Sequence, residues 1–206
     1  MARHPFQQLP RERQNQILDL AGLEFARSGF QGTSYNQLLE RLHLGKSSAY
    51  YYFDDKRDLF LTVIQRCYAT YFASLARLEK PRSADEFWAF VHGASVQGFA
   101  FMLQDPTAAQ LMQCAHHERS LLGELLSFEL LEQMNAFYEE MIVLGQGLAA
   151  VREDMPQRLL VETVRNLSVT FDQWFIAEFQ RGNDPSAEVT ASLFTDLLRR
   201  GVDTRR

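Results

Sequence analysis

From residue 12 to residue 201 the apolar side chains return every three or four positions, and no segment alternates with period two long enough to make a strand. That periodicity restricts the chain to helices that each bury one face. Ile17, Leu18, Ala21 and Phe25 mark a first helix over 12–28, which Gly29 ends as a residue free to turn left-handed. Ser34, with Gln37 three residues on, predicts a capping box and a second helix to about Arg41 that buries Leu38 and Leu42. Gly45 opens a short third helix ending near Tyr52, and Asp54-Asp55 place negative charge at the start of a long fourth. The fourth carries Leu59, Phe60, Val63, Ile64, Cys67, Tyr71, Phe72 and Leu75 on one face to about Glu79. Beyond Lys80-Pro81-Arg82-Ser83 the pattern predicts helices at 84–104, 106–117, 121–150, 157–181 and 186–201. Pro106, Pro156 and Pro185 sit at or near helix starts, where a missing N–H costs little. The expectation is an all-α chain of about nine helices.

The 206 residues are 46% hydrophobic and 23% charged, enough apolar material for a sizeable core and too much for a disordered chain. No apolar run reaches the roughly 20 residues that span a bilayer. The polar start, MARHPFQQLPRERQ, has no secretory signal, and Cys67 and Cys114 lack metal-ligand spacing. A cytoplasmic protein with two reduced thiols and no cofactor is expected. The net charge of −5 is unevenly spread: residues 1–60 hold 8 Lys/Arg against 7 Asp/Glu, and residues 61–206 hold 13 against 19. Between Arg41 and Phe53 there are two cations, one histidine and no acid, so an anionic partner would approach there.

The helices at 34–41 and 45–52, braced by 12–28, make a helix-turn-helix candidate. At 100° per residue, Ala49 and Phe53 share the side that packs inward, and Ser47 and Tyr51 lie opposite. Ser48 and Tyr50 flank that outer face and Lys46 occupies the first turn. Small residues let a helix sink into a major groove, while hydroxyls and an ammonium can bond phosphate or base edges. Residue chemistry alone leaves two readings open, a DNA-reading helix or an ordinary αα-hairpin whose tyrosines pack on neighbours.

The stretch ILDLAGLEFARSGFQGTSYNQLLERLHLGKSSAYYYFDDKRDLF, Ile17 to Phe60, resembles the DNA-binding domain of TetR-type transcriptional regulators. Ala21 and Phe25, Gly29-Phe30, Thr33-Ser34, Leu38, Lys46-Ser47-Ser48-Ala49-Tyr50 and Phe53, Lys56, Leu59 carry the likeness at the family's spacing. The chain departs from the family at Leu38-Leu39, where Ile-Ala is usual, at His43-Leu44-Gly45 in place of Gly-Val-Ser, and at Ser47, where a smaller residue is common. The resemblance implies a DNA-binding domain over 1–55 and a helical ligand-binding and dimerisation domain over 56–206. It implies phosphate contacts from Ser34, Tyr50, Tyr52 and Lys56, and base-edge candidates at Asn36, Lys46, Ser47, Ser48 and Tyr51. It further implies a homodimer through 157–181 and 186–201 on a palindromic double-stranded operator. The segment Gly147 to Asp154 is similar to a Gly…Arg…Asp turn that often precedes the family's penultimate helix.

A ligand site is expected among Phe99, Met102, Met112, His116, Phe137, Met141, Phe171 and Trp174, with Phe101 and the histidines at 92 and 117 as further candidates. Such a lining favours an apolar or aromatic effector. His116 and His117 diverge by 100° and cannot chelate one metal together. The catalytic signatures HExxH, GxSxG and the P-loop are absent, and Gly145-Gln146-Gly147 lacks a third glycine. An enzyme is not expected. The reading that results is a ligand-responsive, dimeric DNA-binding regulator, most often a repressor, without membrane association. Its alternative is a helical small-molecule carrier without DNA function.

Overall fold

The computed structural model describes residues 2–75, 78–118 and 128–204. Ten helices occur among them: α1 (His4–Gln7), α2 (Arg11–Gly32), α3 (Tyr35–Arg41), α4 (Lys46–Tyr52), α5 (Lys56–Leu75), α6 (Ala84–Gln104), α7 (Pro106–Glu118), α8 (Phe128–Gly147), α9 (Gln157–Gln180) and α10 (Ala187–Val202). The expected nine are present, with ends moved by a few residues, and α1 is additional. The first part of the helix expected at 121–150 lies outside the described residues. No strand forms among the described residues, and one isolated bridge pairs Val151 with Asp203.

Local chemistry sets the helix ends. Gly29 holds φ +66°, so α2 breaks there before one further turn. Asp55 accepts the Asp58 N–H at 2.8 Å, and Asp58 accepts the Asp54 N–H at 2.9 Å. Two donors at the start of α5 are thereby satisfied by carboxylates that also suit the helix dipole. Ser186 caps α10 by accepting from Val189. The capping box expected at Ser34 does not form. Ser34 occupies the N-cap position of α3 without a side-chain bond, and its neighbour Thr33 turns back to donate to the Gly29 carbonyl at 2.7 Å.

By packing, the chain divides into two units, Met1–Thr70 with Asp105–Phe128, and Tyr71–Gln104 with Glu129–Arg206. This division by packing falls inside α5, and α7 joins the first unit by packing on α2. Ile17, Phe25, Leu38, Leu42, Phe53, Leu59, Phe60 and Ile64 fill the first core without residual exposure worth the name. Phe25 and Phe60 meet edge to face at 5.0 Å.

The second core gathers Phe87, Trp88, Val91, Ile142, Val151 and Leu160 with Val164, Phe194 and Leu198. Here α10 lies along α6 and beside α9. A Cβ on Gly145 would sit 2.5 Å from Val151 Cγ2 and 2.7 Å from Phe87 Cζ, so only glycine permits this approach. Gly145 is therefore a packing residue. The turn that follows is pinned by Arg152, whose guanidinium donates to both oxygens of Asp154 at 2.5 and 2.6 Å while its N–H donates to Val202 O.

Candidate nucleic-acid interface and ligand cavity

The site in the first unit begins with the inner face of α4. Ala49 and Phe53 are buried completely, as are Leu38 and Leu42 at the facing end of α3, with Leu39 nearly so. The larger Leu38-Leu39 pair is thus accommodated in the core. Between the helices His43 adopts φ +52°, a left-handed conformation that costs a non-glycine residue on the order of 1 kcal/mol. Gly45 then takes the N-cap of α4 without a side-chain bond.

Packing that fixes the inner face exposes the outer one. Lys46, Ser47 and Ser48 are exposed along the first turn, Tyr50 is 52% exposed and Tyr51 61%. Ser34 and Asn36 are exposed at the start of α3. Tyr35 is held against Tyr50 edge to face at 6.3 Å, and burial pushes the Tyr35 hydroxyl up to about 12. It stays neutral, so this surface gains no anion from it. Tyr52 is partly buried beside Tyr51, whose ring centroid is 5.7 Å away.

Lys56 occupies a different place from a lysine held out to solvent. Its ammonium donates to Phe30 O at 2.8 Å and Thr33 O at 2.9 Å and rests 4.4 Å from the Phe30 ring. It fastens the turn between α2 and α3, which sets where α3 and its exposed Ser34 and Asn36 begin.

The α1 segment is a contributor that periodicity missed. Phe6 is buried against Phe53 at 4.8 Å and Tyr52 at 6.2 Å. The Arg3 N–H donates to Tyr52 O at 2.9 Å, its guanidinium donates to Tyr50 O at 2.9 Å, and it pairs with Asp54. Three contacts thus tie the start of the chain to the C-terminal end of α4, where the last carbonyls would otherwise lack partners. The available signals were Pro5 at a helix start and Phe6 as a lone aromatic in a polar run.

The second unit contains a partly open cavity of about 60 Å³; with the adjoining open solvent the space between atoms is about 520 Å³. Of the ligand-site candidates, Phe99, Phe137 and Met141 line it. The other expected residues lie elsewhere. Met102 is buried without lining the cavity, and Phe171 packs edge to face on Phe194 at 5.4 Å. Trp174 is 47% exposed, and Met112 and His116 belong to α7 in the first unit. His92 sits at the surface against Ser192 and Glu188 of α10.

The polar lining was not foreseen. Tyr71, Ser95, Tyr138, Ser168 and Asp172 all face this space. Gly98 makes room for Tyr71, because a Cβ there would lie 2.9 Å from the tyrosine oxygen. Desolvation raises the Asp172 carboxyl to about 7 and the Tyr138 hydroxyl to about 12. A signal existed in the spacing: Ser168 and Asp172 stand on the same stripe of α9 as the buried Val164 and Phe175. Polar residues inside an apolar stripe are worth an explanation.

Two groups of apolar side chains remain on the surface, one on α9 and one on α10. Leu159, Trp174 and Phe179 are exposed on α9, and Val189, Leu193 and Leu197 recur every fourth residue on α10. Ordinary solvent faces do not carry an apolar stripe like that of α10, whereas the three on α9 are spread around the helix.

The family model for bacterial regulatory proteins of the TetR family matches residues 17–63, the stretch that holds most of α2, all of α3 and α4 and the start of α5. No curated protein is a significant match to the sequence. Among solved structures, a TetR family transcriptional regulator from Chloroflexus aurantiacus J-10-FL is 20% identical, with all of both chains covered and a TM-score of 0.64. A putative tetR family transcription regulator from Shewanella sp. PV-4 is 16% identical over 94% of this chain and 99% of its own, with a TM-score of 0.70. The transcriptional regulator FadR from Bacillus subtilis, solved in complex with stearoyl-CoA, is 14% identical over 90% of this chain and 97% of its own, with a TM-score of 0.65. The segment 17–63 thus matches the TetR family of bacterial regulatory proteins, and along its length the chain shares the fold of these solved structures.

Proposed function

We propose that the chain is a ligand-responsive, sequence-specific transcriptional regulator, a repressor that binds a palindromic operator as a homodimer and is released by a small effector. The observation that carries this reading is the acid-free outer face of α4, held rigidly outward by the buried Ala49 and Phe53. Lys46, Ser47, Ser48 and Tyr51 would meet base edges, with Asn36 beside them, and Ser34, Tyr50 and Tyr52 would hold phosphate. Lys56 would act by fixing the turn ahead of α3, through the Phe30 and Thr33 carbonyls that it binds. The exposed apolar stripe of α10, with Trp174 exposed on α9, supports a two-fold interface, which presents two recognition helices to two half-sites.

The cavity of the second unit supports an effector site for a molecule with a largely apolar or aromatic body. FadR from Bacillus subtilis, whose structure holds stearoyl-CoA, shares the fold and is in keeping with an apolar effector. Such a ligand acts only by binding the DNA-competent and DNA-incompetent forms unequally.

Selection of bound molecules from randomised duplex DNA at moderate salt tests this reading. A recovered palindrome, with half-sites one or more helical turns apart, is the expected result. No enriched sequence, from protein freed of bound ligand, would favour a carrier without DNA function. The dimer is tested separately by Trp174→Glu, which should halve the mass in solution while leaving the helix content intact. A wild-type protein that is monomeric at micromolar concentration would contradict the interface.

A further inference from the structure

The cavity of the second unit joins two surroundings of opposite character. Its inner part holds the Asp172 carboxylate from α9 with the hydroxyls of Ser168, Ser95, Tyr71 and Tyr138. Leu75, Ala94, Phe137 and Met141 are shared with an adjoining groove that Phe72, Phe90, Val143 and Leu144 continue. The groove contains about 1360 Å³ of empty space, part of it open to solvent, and its only charged residues among those described are Lys80 and Glu140.

Asp172 is the unusual member. Among the described residues no hydrogen bond or ion pair reaches its carboxylate, and no Lys, Arg or His lines the inner cavity. The groups facing it are Tyr71 from α5, Ser95 from α6, Tyr138 from α8 and Ser168 from its own helix, with only the ring of Phe194 from α10. Arg165, two turns before Asp172 on α9, is turned to Asn135, to which it donates at 2.8 Å. A carboxylate among hydroxyls and apolar rings, without a counter-charge, is costly, and natural cores seldom keep one without use.

We propose that Asp172 is the recognition group for a cationic nitrogen, and that the effector is an amphipathic amine whose apolar body lies along the groove. This rests on the reading of the second unit as an effector site and names the chemistry of that site. The ammonium would pair with the Asp172 carboxylate and take hydroxyl oxygens from Ser168 and Ser95. The rings of Tyr71, Tyr138 and Phe137 would supply electron-rich faces around it. A carboxylate ligand would face Asp172 with like charge, and an uncharged ligand would leave it unpaired.

Protonation supplies an independent signature. Because burial holds the free Asp172 carboxyl near 7, an ammonium binds the ionised form and must displace a proton at lower pH. Amine affinity therefore rises with pH up to about 8 and levels off, with about a tenfold gain between pH 6 and pH 8.

Calorimetric titration of the full chain with decylamine, decanol and decanoate, one tail with three heads, tests the proposal. At pH 8 decylamine should bind at least about tenfold more tightly than decanol, lose that advantage at pH 6, and lose it at both pH values in Asp172→Asn. Decanol binding should be the same in the variant, which also shows that the variant is folded. If decanol or decanoate binds as tightly as decylamine to the wild type at pH 8, or if Asp172→Asn keeps the amine preference, the cationic assignment falls while the cavity remains an effector site. If none of the three binds, the effector reading of the cavity falls with it. The wild-type pH series decides the matter even if the variant does not fold.

Discussion

The two units solve the same packing problem in different ways. In the first, Phe25, Phe53, Phe60 and their aliphatic neighbours are completely buried, and backbone ends are tied by Lys56, Arg3 and the Asp55–Asp58 pair. In the second, helices of similar composition leave a cavity and seat a carboxylate in its wall. A tightly filled unit can hold an external face to the tolerance that groove recognition demands. A unit with internal space can change its packing when that space is occupied. Under the proposed function, the first unit would read without adapting and the second would adapt without reading.

Core truncation should break the comparison most visibly if it is wrong. Phe60→Ala, which removes a ring packed on Phe25 and Phe30, should cost about 3–5 kcal/mol in denaturant unfolding. Phe137→Ala, in a cavity wall that is already loose, should cost about 1 kcal/mol. Equal losses would show that the second unit is as tightly packed as the first.

The next effect is electrostatic. A carboxyl raised to about 7 in the folded chain, against its ordinary 3.8, binds its proton more tightly when folded. Its contribution is therefore greatest below about pH 4 and is lost as pH rises through 7. Asp172→Asn should raise stability at pH 8 by about 2 kcal/mol, allowing for solvent that reaches the cavity, and change it little at pH 4. Unfolding midpoints of both proteins at the two pH values measure this, and a gain equal at both would contradict the buried carboxylate.

The smallest effect lies on the outer face. Tyr50→Ala should leave stability within about 0.5 kcal/mol and weaken binding to every duplex by a similar factor, about 5- to 10-fold, as expected for a phosphate contact. Competition between the selected duplex and duplexes with single changes measures it. A loss confined to one base position would reassign Tyr50 to base reading.

The same contrast explains what the sequence made visible. The faces of α4 were legible because one inward pair, Ala49 and Phe53, fixes every other direction on a regular helix. The helix breaks at Gly29, Pro106 and Pro156 were legible because those residues constrain backbone directly. By contrast, α1 is a single turn whose burial rests on Phe6 meeting residues nearly 50 positions away, which no local period records. Lys56 looked like a surface cation because the carbonyls it binds belong to a distant turn. In the second unit, apolar spacing pointed to cores and could not separate Phe99, which lines the space, from Met102, which fills the core. The polar wall was hidden because a lone aspartate in a helix reads as a solvent face until its stripe is traced.

The central claim, that the outer face of α4 engages DNA, is tested most directly by duplex affinity measured across a salt series for wild type and Lys46→Ala. The account predicts that log affinity falls linearly with log salt, and that the variant binds more weakly with a slope shallower by about 1. Salt-independent binding, or identical affinity and slope for the two proteins, would contradict it.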